Sequence, residues 1–175
     1  MFVNIEIKAR TGRSDEIRKY LLEHGADCKG TDYQTDTYFN TNKGRLKLRQ
    51  GNIENNLIYY ERNDQAGPKQ SDFSLVKVDD VATLESMLAS AMGIKIKVKK
   101  TREIFFIENV KFHLDMLDEL GCFVEIEASN RYAPLSNTQL DEQCNFYMQQ
   151  FGIREEDLVN ISYSDMLLGL QYPTH

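Results

Sequence analysis

Ionisable residues spaced by two recur along this sequence. Glu6 with Lys8, Lys47 with Arg49, Lys100 with Arg102, and Glu125 with Glu127 each hold alternate positions of a segment, and that spacing puts both side chains on one face of a β-strand. A guanidinium grips phosphate oxygens in a fork, an ammonium adds a point charge, and paired carboxylates hold a hard dication. On any single strand, a solvated outer face is the better explanation of such a pair. Its repetition on strand after strand points instead to a shared lining.

The elements that must carry these pairs are mostly strands. Val3, Ile5, Ile7 and Ala9 alternate with Asn4, Glu6, Lys8 and Arg10, which predicts an opening strand with one apolar and one polar face. Ser14-Asp15-Glu16 starts a short helix that Gly25 stops. Residues 31–77 are rich in β-branched and aromatic types and broken by turn signals at Asn40–Gly44, Gly51-Asn52 and Gln65–Pro68, so sequential hairpins are expected. A second helix is predicted from Asp80 to Met92. Four more strands are predicted over Ile94–Lys100, Glu103–Ile107, Lys111–Met116 and Cys122–Ala128. A third helix should run from Ser136 to Phe151 and a short last one from Ser164 to Leu170. If the strands close into a barrel with helices outside, apolar faces turn outward and charged faces line the interior. Buried charge is costly unless compensated, so such an interior calls for an anion, a metal, water, or internal pairing.

Bulk properties set limits. The 175 residues read as one domain over 1–170 with a short tail at 171–175. A net charge of -6, from 21 basic and 27 acidic side chains, argues against a protein built to neutralise nucleic-acid phosphates and makes any anion site local. Cys28, Cys122 and Cys144 are odd in number and widely spaced, which fits a reducing compartment, the cytoplasm. The longest strongly apolar run, Ile104–Ile107, is too short to span a bilayer, so no membrane partner is expected.

Read in order, several segments together resemble the CYTH superfamily of triphosphate tunnel metalloenzymes, and within it proteins similar to class IV adenylyl cyclase. They are Asn4–Arg10, Asp36–Phe39, Gly44–Arg49, Tyr59–Arg62, Lys99–Glu103, Phe112–Asp115, Phe123–Glu127 and Ser162-Tyr163. The resemblance implies an α+β fold, a closed eight-stranded antiparallel β-barrel whose tunnel binds a triphosphate substrate with Mg²⁺ or Mn²⁺. It assigns the phosphate role to Lys8, Lys47, Arg49, Arg62, Lys100 and Arg102, and the metal role to Glu6, Glu125, Glu127 and Asp115. A homodimer is a further family-based expectation. The family motif E-x-E-x-K has Asn4 in its first acidic place here, which lowers the charge available to a second metal.

The implied activity is cyclisation of ATP to cyclic AMP and pyrophosphate. The alternatives are hydrolysis of inorganic, thiamine or nucleoside triphosphate, and polyphosphate or nucleotide binding without turnover. No P-loop, nucleophile elbow or dinucleotide fingerprint occurs. His24 reads as a helix-end surface residue and His175 as tail, while His113 reads first as a satisfied structural histidine and second as a tunnel residue. Tyr163 either closes a tunnel mouth or packs the last helix. Lys95 and Lys97 read as a solvated edge.

Overall fold

The computed structural model describes residues 2–62, 69–131 and 134–171; the side chains of Arg62 and Lys69 are not among what it describes. The expected turn at Gln65–Pro68 and most of the expected tail therefore lie outside the described residues. The strands are β1 (Phe2–Arg10), β2 (Asp27–Phe39), β3 (Arg45–Gln50), β4 (Asn56–Arg62), β5 (Lys69–Lys77), β6 (Ile94–Ile107), β7 (Val110–Leu117) and β8 (Gly121–Ser129). The helices are α1 (Ser14–Glu23), α2 (Val81–Met92), α3 (Asn137–Gln150) and α4 (Tyr163–Gln171), with a 3₁₀ turn at Glu155–Asp157.

The strands close into one antiparallel barrel in the order β1-β5-β4-β3-β2-β6-β7-β8. Closure comes from β1 against β8, where Glu6 faces Glu127 and Lys8 faces Glu125. Two predicted strands, Ile94–Lys100 and Glu103–Ile107, are the single strand β6. Neither Thr101 nor Arg102 breaks the two-residue alternation, and no Gly or Pro stands between the halves.

Helices end where local chemistry dictates. Asp80 caps α2 by accepting the Thr83 N–H, and Ser136 with Gln139 forms a capping box at α3. At α1, Ser14 is the first helical residue and no side chain caps the N-terminus.

Packing follows polarity on most of the barrel. α3 lies on β1 and β8, α1 on β8, α2 on β2 and β3, and α4 on β6. Beneath α1 and α3 the outward residues Ile5, Ile7, Ala9, Phe112, Val124 and Ile126 form the main core with Leu140 and Cys144. Strands β4 and β5 reverse the expected pattern. Leu57 of β4 reaches the cluster beneath α2, but the outward Asp72, Ser74 and Val76 of β5 are exposed, and Ile58, Tyr60, Phe73 and Leu75 turn inward as a cluster of their own. Where little helix surface is offered, an apolar face finds burial inside the barrel.

One barrel end is closed. Tyr38, Val98 and Phe123 sit two positions beyond Asp36, Lys100 and Glu125 on their strands, and they pack against Tyr163 and Leu167 of α4. That helix lies across the end of the charged layer.

Candidate functional site

The barrel encloses a cavity with about 990 Å³ of space between atoms, open solvent included. Its lining divides by charge. On β2, β3 and β6, one carboxylate serves three cations: Asp36 accepts from Arg49 Nε at 2.8 Å and Nη2 at 3.0 Å, from Lys100 Nζ at 2.8 Å, and from Lys47 Nζ at 3.3 Å. Burial opposes ionisation of Asp36, yet Arg49, Lys100 and Lys47 together hold its carboxyl well below the usual range. Burial pushes the Lys100 ammonium down to about 7 against the pull of Asp36, and Arg102, Arg49 and Lys47 push the same way. This wall is deficient in negative charge.

The opposite imbalance holds on β1 and β8. Glu6, Glu125 and Glu127 face the cavity with Lys8 between strands, its Nζ 3.2 Å from Glu125 Oε1. Glu125 Oε2 also accepts from Arg102 Nη2 at 2.7 Å and lies 3.0 Å from His113 Nδ1. Burial works against its ionised form, but Arg102 and then Lys8 hold its carboxyl well below normal. Glu127 is raised, by burial first and then by Glu6 and Glu125. A carboxyl held up by neighbouring carboxylates is one that a dication would relieve.

Ligand atoms of His113, Glu125 and Glu127 lie within 4.8 Å of one another, so these residues suit a divalent ion. Asp115 is placed differently. Its two oxygens accept from Arg102 Nε at 2.6 Å and Nη2 at 2.5 Å, and the Tyr163 hydroxyl donates to it at 2.7 Å. As placed, both of its oxygens are taken up by Arg102 and Tyr163. Tyr163 thus both lines the tunnel and packs α4, and the Lys8 Nζ sits 3.9 Å from its ring centroid.

Of the anticipated residues, the fold brings Glu6, Lys8, Lys47, Arg49, Lys100, Arg102, Glu125 and Glu127 to one cavity, while the Arg62 side chain lies outside the described residues. Sequence reasoning missed three contributors. Asp36 lay within a quoted segment but was given no role. Lys111 faces in two positions before His113, a spacing as legible as the pairs that were noticed. Glu54 comes from the turn between β3 and β4, where strand periodicity has no reach. There its carboxylate pairs with Lys111 and, at 2.9 Å, with Arg49, and buried Asp32 accepts the N–H groups of Ile53 at 2.9 Å and Glu54 at 3.0 Å. His113, for which a tunnel position was the second expectation, is 1% exposed and lines the cavity. Its Nε2 and the Asn4 Oδ1 are buried without a hydrogen-bond partner.

The fold is a closed barrel whose interior sets a cationic wall against an anionic one, with an apolar strip on β4 and β5, a lining whose chemistry is complementary to an anion with its counter-cation. The chain belongs to the CYTH domain family, whose profile matches residues 3–143. No curated protein matches the sequence. Among solved structures, the PH1012 protein of Pyrococcus horikoshii OT3 superposes with a TM-score of 0.78 at 22% identity over 93% of this chain and 98% of its own. A candidate adenylate cyclase from Vibrio parahaemolyticus gives 0.76 at 20% identity over 94% and 97%. A candidate adenylyl cyclase from Hippeastrum, titled as having a dominant triphosphatase activity, gives 0.63 at 12% identity over 98% and 96%. Among the described residues no helix is long and apolar enough to cross a membrane.

Proposed function

We propose that this chain is a metal-dependent enzyme acting on the triphosphate group of an organic substrate, with adenylyl cyclase-like chemistry that converts ATP to cyclic AMP and pyrophosphate. The supporting observation is the split lining: three cations share Asp36 on one wall while Glu6, Glu125 and Glu127 line the other beside Lys8. A phosphate chain carrying a dication has the complementary polarity. Lys47, Arg49, Lys100 and Arg102 take the phosphate oxygens, with Lys8 and Arg62 completing the grip. Glu6, Glu125 and Glu127 hold Mg²⁺ or Mn²⁺, and Asp115 holds Arg102 in position. When bound, the metal neutralises charge on the reacting phosphates.

The apolar strip of Ile58, Tyr60, Phe73 and Leu75 supports an organic substrate over inorganic triphosphate, because a base and ribose would cover it. In cyclisation the chain must hold the ribose 3′-oxygen in line with the α-phosphorus. In-line placement and charge neutralisation carry such reactions without a covalent enzyme intermediate. Hydrolysis at the terminal phosphorus is the second reading, favoured by the triphosphatase activity in the name of the Hippeastrum protein of the same fold. The test is to incubate purified protein with ATP, tripolyphosphate and thiamine triphosphate in Mg²⁺ or Mn²⁺ and resolve the products. Cyclic AMP with pyrophosphate supports the cyclase, orthophosphate the triphosphatase, and binding without turnover refutes both.

A further inference from the structure

The charged side chains of the tunnel are largely matched to one another, but two uncharged ones are not. Asn4 and Ser71 are register partners across β1 and β5, and both line the cavity. We propose that they form a base-reading subsite: the Asn4 amide and the Ser71 hydroxyl hydrogen-bond the N6 amino and N7 edge of an adenine that lies on the rings of Tyr60 and Phe73, and so select ATP among triphosphates. This deepens the triphosphate-substrate reading above and rests on it.

Position carries the first half of the assignment. Lys47 of the cationic wall is the register partner of Ile58, and its Nζ sits 5.6 Å from the centroid of the Tyr60 ring. Tyr60 is in turn the partner of Phe73, and Ser71 stands one strand alternation from Phe73 with Asn4 beside it. The apolar strip therefore lies between a phosphate grip on one flank and the Asn4–Ser71 pair on the other. A substrate with its phosphates on Lys47 and its flat base on the strip turns the base edge toward that pair.

Bonding carries the second half. Asn4 Oδ1 is buried without a partner, and among the described residues neither Asn4 Nδ2 nor the hydroxyl of buried Ser71 makes a hydrogen bond. An unpaired polar group is costly inside a protein, and a ligand that supplies its partner removes the cost. Rotation of the Asn4 amide about its terminal bond breaks no bond, so either end can be offered. Neutral groups compete poorly for phosphate against the lysines and arginines of the other wall, and poorly for a dication against the carboxylates. They suit an uncharged edge. Adenine presents an acceptor, N7, beside a donor, the N6 amino group, the pattern that an asparagine amide matches with two bonds; guanine presents two acceptors there and leaves Oδ1 unpaired.

The test is equilibrium binding of ATP, of purine riboside triphosphate, which lacks only the 6-amino group, and of tripolyphosphate to the full-length protein in chelator, where metal plays no part. The wild type should bind ATP about tenfold more tightly than the deaminated nucleotide. Asn4→Ala should bring the two nucleotides to equal affinity while tripolyphosphate binding stays unchanged, and Ser71→Ala should lower their ratio about threefold. Equal affinities in the wild type, or a ratio unchanged in Asn4→Ala, would overturn the proposal; a loss shared equally by both nucleotides would mean that the pair holds ribose and would overturn it too. Should Asn4→Ala fail to fold, the wild-type ratio and its fall in Ser71→Ala decide. Absence of tripolyphosphate binding would bring down the triphosphate reading itself, whereas tripolyphosphate bound without discrimination between the nucleotides would bring down the base-reading subsite alone.

Discussion

Replacing Asp36 by Asn should make the protein less stable and a better anion binder at once. Asp36 is 1% exposed and is the shared partner of Arg49, Lys100 and Lys47. Removing its charge while keeping its shape leaves buried Arg49 and Lys100 crowded together with half-buried Lys47, and breaking a buried ion pair typically costs about 3–5 kcal/mol. For a chain of 175 residues that corresponds to a drop in Tm of about 6–20 °C. The Arg49 fork is also occupied by Asp36 through Nε and Nη2, so in the wild type a phosphate competes with this carboxylate. Freed from competition, Asp36→Asn should bind tripolyphosphate about tenfold tighter, near the lower end of a charge-assisted hydrogen bond, and its Tm should rise more on ligand addition than that of the wild type. Calorimetry and thermal melts with and without tripolyphosphate measure both. Weaker binding together with lost stability would refute the reasoning, because it would mean that Asp36 arranges the cations rather than competing for them. The pH dependence has a definite sign. The folded carboxyl is held low by its cations, so its stabilisation is complete above the unfolded value of about 3.9 and is lost as pH falls through the lower folded value. Asp36→Asn should lack that acid limb.

Three further outcomes are expected. Arg49→Ala should weaken tripolyphosphate binding by about 1.5–3 kcal/mol, and unchanged affinity by calorimetry would remove the tunnel assignment. Because burial brings Lys100 down to about 7, the free protein sheds this proton as pH rises through that value. Tripolyphosphate affinity should then decline from pH 7 toward 10, and Lys100→Arg should flatten the profile; equal slopes in both proteins would show that Lys100 is not the titrating group. In Gly51→Ala the added Cβ would lie 2.4 Å from Asp32 Oδ1, within the carboxylate that fixes the Glu54 turn. A loss of about 1–3 kcal/mol is expected, read as a lower denaturant midpoint, and an unshifted midpoint would show that the turn tolerates the change.

Strand polarity was legible because it is local. The alternation of Ile5 and Ile7 with Glu6 and Lys8 needs no partner to be recognised, and it puts the charges on one face of β1 whatever the sheet does. The same holds for Lys47 with Arg49, and for Glu125 with Glu127. Lys111 with His113 carries an equal signal, although a lone histidine among apolar neighbours resembles a packed core residue until its surroundings are known. Glu54 has no periodic signal at all, since its direction is fixed by a turn that hangs from Asp32, distant in sequence.

By itself, then, the sequence determined which side chains share a strand face, where the helices start and stop, and, through its ordered motifs, the family and its barrel. Closure and neighbour order decided the rest. They set Asp36 among three cations, committed Asp115 to Arg102 and Tyr163, brought His113 beside Glu125 and Glu127, and turned Ile58, Tyr60, Phe73 and Leu75 of β4 and β5 inward. The physical reason is that charge pairing, burial and proton affinity depend on distances across the barrel, between residues that the chain itself keeps far apart.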